Sequence, residues 1–103
     1  MKPVRIEPEA KQELAAAADW YERRREGLGR ELLSEVDAVL AAIARDPLRF
    51  PPYPGTDPSL SVRRASTRRC PFPVAFIDFS SRVRVIAIAH ERRRPEYWRG
   101  RLP

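Results

Sequence analysis

The stretch Pro71–His90, PFPVAFIDFSSRVRVIAIAH, decides the fold. Its apolar runs VAFI and VIAIA are rich in β-branched and aromatic residues, and Ser80, Ser81 and Arg82 separate them. That pattern predicts a hairpin of two strands, Pro71–Ser80 and Arg82–His90, apolar enough to be central strands buried on both faces or close to it. Ser59–Arg64, SLSVRR, precedes them as a third, edge-like strand.

Upstream, Val4, Arg5 and Ile6 alternate apolar and charged before Pro8, the mark of a short strand. Pro8 suits the first position of a helix, and Glu9 and Glu13 lie near its positive dipole end. Ala10, Leu14, Ala17 and Tyr21 recur at helical spacing and form its inward face. Gly27 and Gly29 end this helix in the sequence reading. Leu28, Leu32, Leu33, Val36, Val39, Leu40 and Ile43 then draw the apolar stripe of a second helix, stopped by Asp46 and Pro47. So short a turn makes the two helices an antiparallel αα-hairpin, and the alanines of the first permit close approach.

Asp46–Pro58 holds five prolines and one glycine, which forbids helix and any central strand. Neither flank is long enough for a comfortable core of its own, so the segment is a loop wrapping over one domain, pinned by Phe50 and Tyr53. After His90, Pro95 opens one helical turn carrying Tyr97 and Trp98. The order β, α, α, β, β, β and a short tail describes an α+β domain: an N-terminal strand, an αα-hairpin, and a three-stranded antiparallel meander, with the helical hairpin packed on one small sheet.

The whole chain of 103 residues is a single domain by size. Its longest run without a charge is eight residues, Cys70 to Ile77, far short of the roughly 20 needed to cross a bilayer. No apolar export signal opens it, and the expected location is the cytoplasm. The lone Cys70 excludes an internal disulfide and a cysteine-based zinc site. No metal-ligand spacing and no glycine-rich phosphate loop occur, so no cofactor is expected. The net charge of +6 is uneven: residues 1–59 carry −2, and residues 60–103 carry +8. Such concentration points to a polyanionic partner, which composition alone does not identify.

Two arginine clusters supply that charge: Arg63, Arg64, Arg68 and Arg69 before the hairpin, and Arg92, Arg93 and Arg94 after it. Folding the hairpin brings Arg68, Arg69 and the second cluster to one end of the sheet, together with His90, Tyr97 and Trp98. Arginine for phosphate, rings for base stacking and an imidazole for proton transfer are what metal-free RNA cleavage uses. A solvated basic rim with a structural aromatic tail accounts for the same residues, as does a plain nucleic-acid-binding module. Cys70 with His90 is the only thiol–base pair, and Cys70 reads equally as a small buried residue.

The series of segments resembles the RelE/ParE superfamily of bacterial toxins from type II toxin-antitoxin modules, often called plasmid stabilization proteins. The resemblance runs from Val4 to about Trp98. It is carried by PEAKQEL, ADWYERRREGLGRELLSEVDAVLAAIARDPLRFP, VRR, FPVAFIDF and RVIAIAHERRRPEYW in that order. It implies the fold derived above and a toxin that inhibits growth when free of its antitoxin. One branch, similar to RelE, cleaves mRNA on the ribosome without a metal; the other, similar to ParE, inhibits DNA gyrase. RelE-like nucleases carry an aromatic followed by a catalytic arginine in the first hairpin strand, where this chain has Phe72 followed by Pro73. They carry catalytic lysines in the preceding loop, where this chain has FPPYPGTDP. These departures favour the ParE-like branch. For a nuclease, His90, Arg92 and Tyr97 are the catalytic candidates. For binding a target or an antitoxin, the candidates are Arg63, Arg64, Arg68, Arg69, Arg93, Arg94, Trp98 and Trp20. The resemblance further implies a hetero-oligomer with an antitoxin whose acidic or amphipathic segment wraps the toxin, docking in a groove beside the helical hairpin that includes Trp20.

Overall fold

A computed structural model describes residues 2–68, 72–88 and 97–103. Val4–Ile6 forms strand β1, Pro8–Arg24 and Leu28–Arg45 form helices α1 and α2, and Val62–Ser66, Pro73–Asp78 and Val83–Ile88 form strands β2, β3 and β4. The apolar runs pair as predicted, β3 antiparallel to β4, with Val74 opposite Ile88 and Asp78 opposite Val83. They are the central strands of a four-stranded sheet ordered β1-β4-β3-β2. Strand β2 joins β3 antiparallel, and β1 joins β4 in parallel, so the meander gains a fourth, oppositely matched edge.

Each face of the hairpin has its own cover. On the inner face Val74, Phe76, Val83, Val85 and Ile88 pack against Ala10, Leu32, Val36 and Ile43 of the helices. On the outer face Ala75, Ile77, Ile86 and Ala87 pack with Val62, Tyr53 and Trp98. Strict alternation would put Ile86 and Ala87 on opposite faces. The register shifts between Ala75 and Phe76, whose partners are Ala87 and Val85. Ile86 is therefore the extra residue of a β-bulge, and both it and Ala87 turn outward.

The proline-rich segment is the expected wrapping loop. Phe50 sits edge-on to Phe76 on the inner face, centroids 5.9 Å apart, while Tyr53 sits on the outer face. Between them the chain runs along β2: the Tyr53 amide donates to the Val62 carbonyl at 2.9 Å, and the Arg64 amide to the Pro51 carbonyl at 3.0 Å. This satisfies the outer edge of β2 without a regular strand. The predicted start of β2 at Ser59 is corrected, because Pro58–Leu60 is a 3₁₀ turn capped by Asp57, which accepts from the Ser59 amide at 2.9 Å. The turn at the end of the chain is Arg99–Arg101, so Tyr97 and Trp98 precede it; Pro95 lies outside the described residues.

Gly29 does not end α1. Gly27, at φ +91°, makes the turn, and Gly29 is the second residue of α2. A side chain at position 29 would run into the carbonyl oxygen of Ala18, so the glycine lets the two helices touch. Glu22 fastens the same junction, accepting the Gly27 amide at 2.9 Å and the Gly29 amide at 3.0 Å. Those amides, Gly27 first, hold its carboxyl below the usual range against the desolvation that raises it. Leu33, read as part of the buried stripe, is 41% exposed at its margin.

Alanine for glycine inside an exposed helix adds about 1 kcal/mol of stability. At position 29 overpacking against a backbone atom, worth roughly 1–3 kcal/mol, outweighs that gain. Gly29→Ala should lower the urea midpoint, while Gly100→Ala, with nothing near its added methyl, should not. An unchanged or raised midpoint for Gly29→Ala would show that the helices do not meet there.

Candidate functional site

The register gathers Ser66, Pro73 and Ile88 at one end of the sheet, as the sequence reading requires. Of the described arginines, Arg63 and Arg64 do not share one face. Arg63 and Arg64 are neighbours in a strand and so point to opposite faces. Arg63 lies on the inner side, where its Nη1 donates to the Phe50 carbonyl at 2.6 Å; its Nε is buried without a hydrogen-bond partner among the described residues. Arg64 lies on the outer side, its guanidinium 5.7 Å from the Tyr53 ring centre. Both fasten the wrapping loop to β2. Arg68 lines an open cleft with Gly27, Arg30, Glu31, Ser34 and Glu35 of the helical hairpin. Arg69, Cys70, His90, Arg92, Arg93 and Arg94 lie outside the described residues.

The aromatic candidates separate just as sharply. Trp98 is 2% exposed, edge-on to Tyr53 with centroids 4.9 Å apart. Its indole, a binding candidate in the sequence, is a core element of the outer face. Trp20 is 47% exposed, stands on α1 beside Tyr21, and carries the Arg24 guanidinium 4.1 Å above its ring. A stacked cation over an open indole is a ready contact for a partner's apolar or acidic side chains.

Tyr97 belongs to a cluster that the sequence reading missed. Its hydroxyl donates to the carboxylate of Glu13 on α1. The same carboxylate accepts the Ile88 amide at 3.1 Å and the Arg101 Nη1 at 3.1 Å, and Arg101 also donates to the Ile86 carbonyl at 2.9 Å. β1 ends opposite Val85, so these side chains satisfy the stretch of β4 that no strand covers among the described residues. Burial works against the Arg101 charge, yet hydrogen bonding and attraction from Glu13 prevail and hold its guanidinium above its ordinary value. Glu13 and Arg101 are 88 positions apart, and no local spacing announces their meeting.

This is a helical hairpin with an exposed, cation-stacked tryptophan on an edge-sealed mixed sheet. Residues 4–95 match the family profile described as ParE toxin of type II toxin-antitoxin system, parDE. The chain belongs to the ParE toxin family. Among solved structures, this ParE-family chain is similar in fold to a chain of the chromosomal ParDE toxin-antitoxin system from P. aeruginosa. The TM-score is 0.73 at 16% identity, covering 87% of this chain and 96% of that one. No curated protein matches the chain. No helix among the described residues is long and apolar enough to cross a membrane.

The two tryptophans should behave oppositely. Trp98→Ala is expected to cost about 3–5 kcal/mol of folding stability, and Trp20→Ala about 0.5 kcal/mol or less. Urea unfolding of the two variants checks the assignment. Equal losses would show that Trp20 is core or that Trp98 is not.

Proposed function

We propose that this ParE-family chain is a growth-inhibiting toxin which, when free of a cognate antitoxin, acts on DNA gyrase. The observation that carries the reading is the family match over residues 4–95. Chemistry in the described residues supports the branch. Proline occupies the first position of β3, with no cation to offer a scissile phosphate. Tyr97, the aromatic that a nuclease reading uses in catalysis, gives its hydroxyl to Glu13. Arg63 and Arg64 face opposite sides and serve the fold.

The antitoxin is the proposed partner, by similarity to the ParDE system of P. aeruginosa. The +8 excess of residues 60–103 suits an acidic segment, and Trp20 with Arg24 offers an anchor for an amphipathic one. Arg30 and Arg68 line the cleft beside α2 together with Glu31 and Glu35, so that cleft offers charges of both signs. The complex is a toxin–antitoxin hetero-oligomer in which the antitoxin covers these groups.

Inducing the toxin alone should trigger DNA-damage signalling while protein synthesis continues at first, and the purified protein should inhibit supercoiling by gyrase. Immediate translational arrest with codon-specific mRNA cuts would overturn the gyrase reading in favour of a ribosome-dependent nuclease. Trp20→Ala should weaken antitoxin binding about tenfold or more, read by titration calorimetry. Unchanged affinity would remove Trp20 from the interface.

A further inference from the structure

We propose that Arg24, lying over the open indole of Trp20, takes a carboxylate of the antitoxin while an apolar side chain beside that carboxylate rests on the ring. The inference rests on the antitoxin reading above and gives that surface its chemistry and its specificity-determining charge.

Three observations carry it. First, the indole is exposed and yet held in place. Trp20 is 47% exposed, its ring meets Tyr21 edge-on with centroids 5.0 Å apart, and Tyr21 meets the buried Phe72 edge-on at 5.8 Å. A surface ring braced on the core in this way loses little freedom when a partner covers it. Second, Arg24 keeps its charge. Of the three consecutive arginines at the end of α1, Arg23 donates to Asp19 at 2.5 Å and Arg25 faces Glu31 at 3.9 Å. Exposed pairs of this kind add little stability, but they present no net charge to a partner. Arg24 has no carboxylate partner among the described residues, and its guanidinium carbon stands 4.1 Å from the Trp20 ring centre instead. Third, a guanidinium set over a ring uses its flat face and leaves the N–H groups of its rim for a bidentate carboxylate.

The two groups together select one kind of partner. A purely apolar segment covers the indole and strands the cation, whereas a bare carboxylate leaves the indole wet. An acidic residue beside an apolar one satisfies both, and a helical segment supplies that pair at positions three or four apart. A nucleic-acid strand fits less well, because Asp19, Glu22 and Glu26 flank the arginines and repel a chain of phosphates while admitting a single carboxylate.

The test is titration calorimetry of the full chain and its variants with the purified cognate antitoxin, at low and high salt. Arg24→Gln should weaken binding about tenfold or more, the loss of a charge-assisted bond, and should flatten the salt dependence. Arg24→Lys keeps the charge but lacks the flat fork, so it should recover only part of the loss. Arg23→Gln should change affinity by about twofold at most. Full affinity in Arg24→Gln would overturn the proposal, and so would equal losses in Arg23→Gln and Arg24→Gln, the mark of a diffuse charge effect. Loss of gyrase inhibition in Arg24→Gln with antitoxin affinity intact would give the site to the target and also overturn it. If Trp20→Ala weakens binding and Arg24→Gln does not, the antitoxin reading stands and the carboxylate site falls. If the unaltered chain binds no antitoxin, both fall.

Discussion

The constraint on which the structure depends is that β3 and β4 are apolar on both faces. Val74, Phe76, Val83 and Val85 look one way, Ala75, Ile77, Ile86 and Ala87 the other, and all are buried. A sheet with one wet face needs a single covering layer; this one needs two. The helical hairpin supplies the first. A domain of this size has no second hairpin to give, and among the described residues the outer cover comes from the proline-rich loop and from residues 97–103. That explains why a segment with five prolines is part of the core rather than a linker.

The same economy governs the sheet edges. β2 is sealed by loop carbonyls and amides in place of a strand, with Arg63 and Arg64 pinning the loop from opposite faces. β4 is sealed by β1 for three residues and beyond it by the Glu13 carboxylate and the Arg101 guanidinium. Several charges that resemble a binding cluster in sequence are therefore spent on the fold. Among the described residues, Trp20 under Arg24 stands exposed on the helical side, where Arg68 and Arg30 line a cleft together with Glu31 and Glu35. In a member of the ParE toxin family, that side fits the proposed antitoxin.

Much of this was legible because its signals are local. The β3–β4 hairpin announced itself in two apolar runs, the αα-hairpin in helical periodicity and its stop signals, and the wrapping loop in its prolines with Phe50 and Tyr53 as anchors. The site was less legible. Arg63 and Arg64 are adjacent in sequence, and the two-residue period of a strand is what separates them in space. Gly29 resembles a helix terminator until the neighbouring helix is in place, since only the Ala18 carbonyl shows why a side chain cannot sit there. Trp20 and Trp98 have similar local contexts and opposite burial, set by which surface meets them. The contact of Glu13 with Arg101 joins the first helix to the end of the chain, and the bulge at Ile86 depends on pairing rather than composition.

Two-sided burial of the central hairpin is tested most directly by Ile86→Ala, which truncates a fully buried side chain on the outer face and touches neither helix. Urea unfolding should show a loss of about 2–4 kcal/mol, as large as for an aliphatic residue on the helix-covered face. A loss below about 0.5 kcal/mol, within the range of surface substitutions, would contradict the account and reduce the outer cover to an ornament on a one-sided fold.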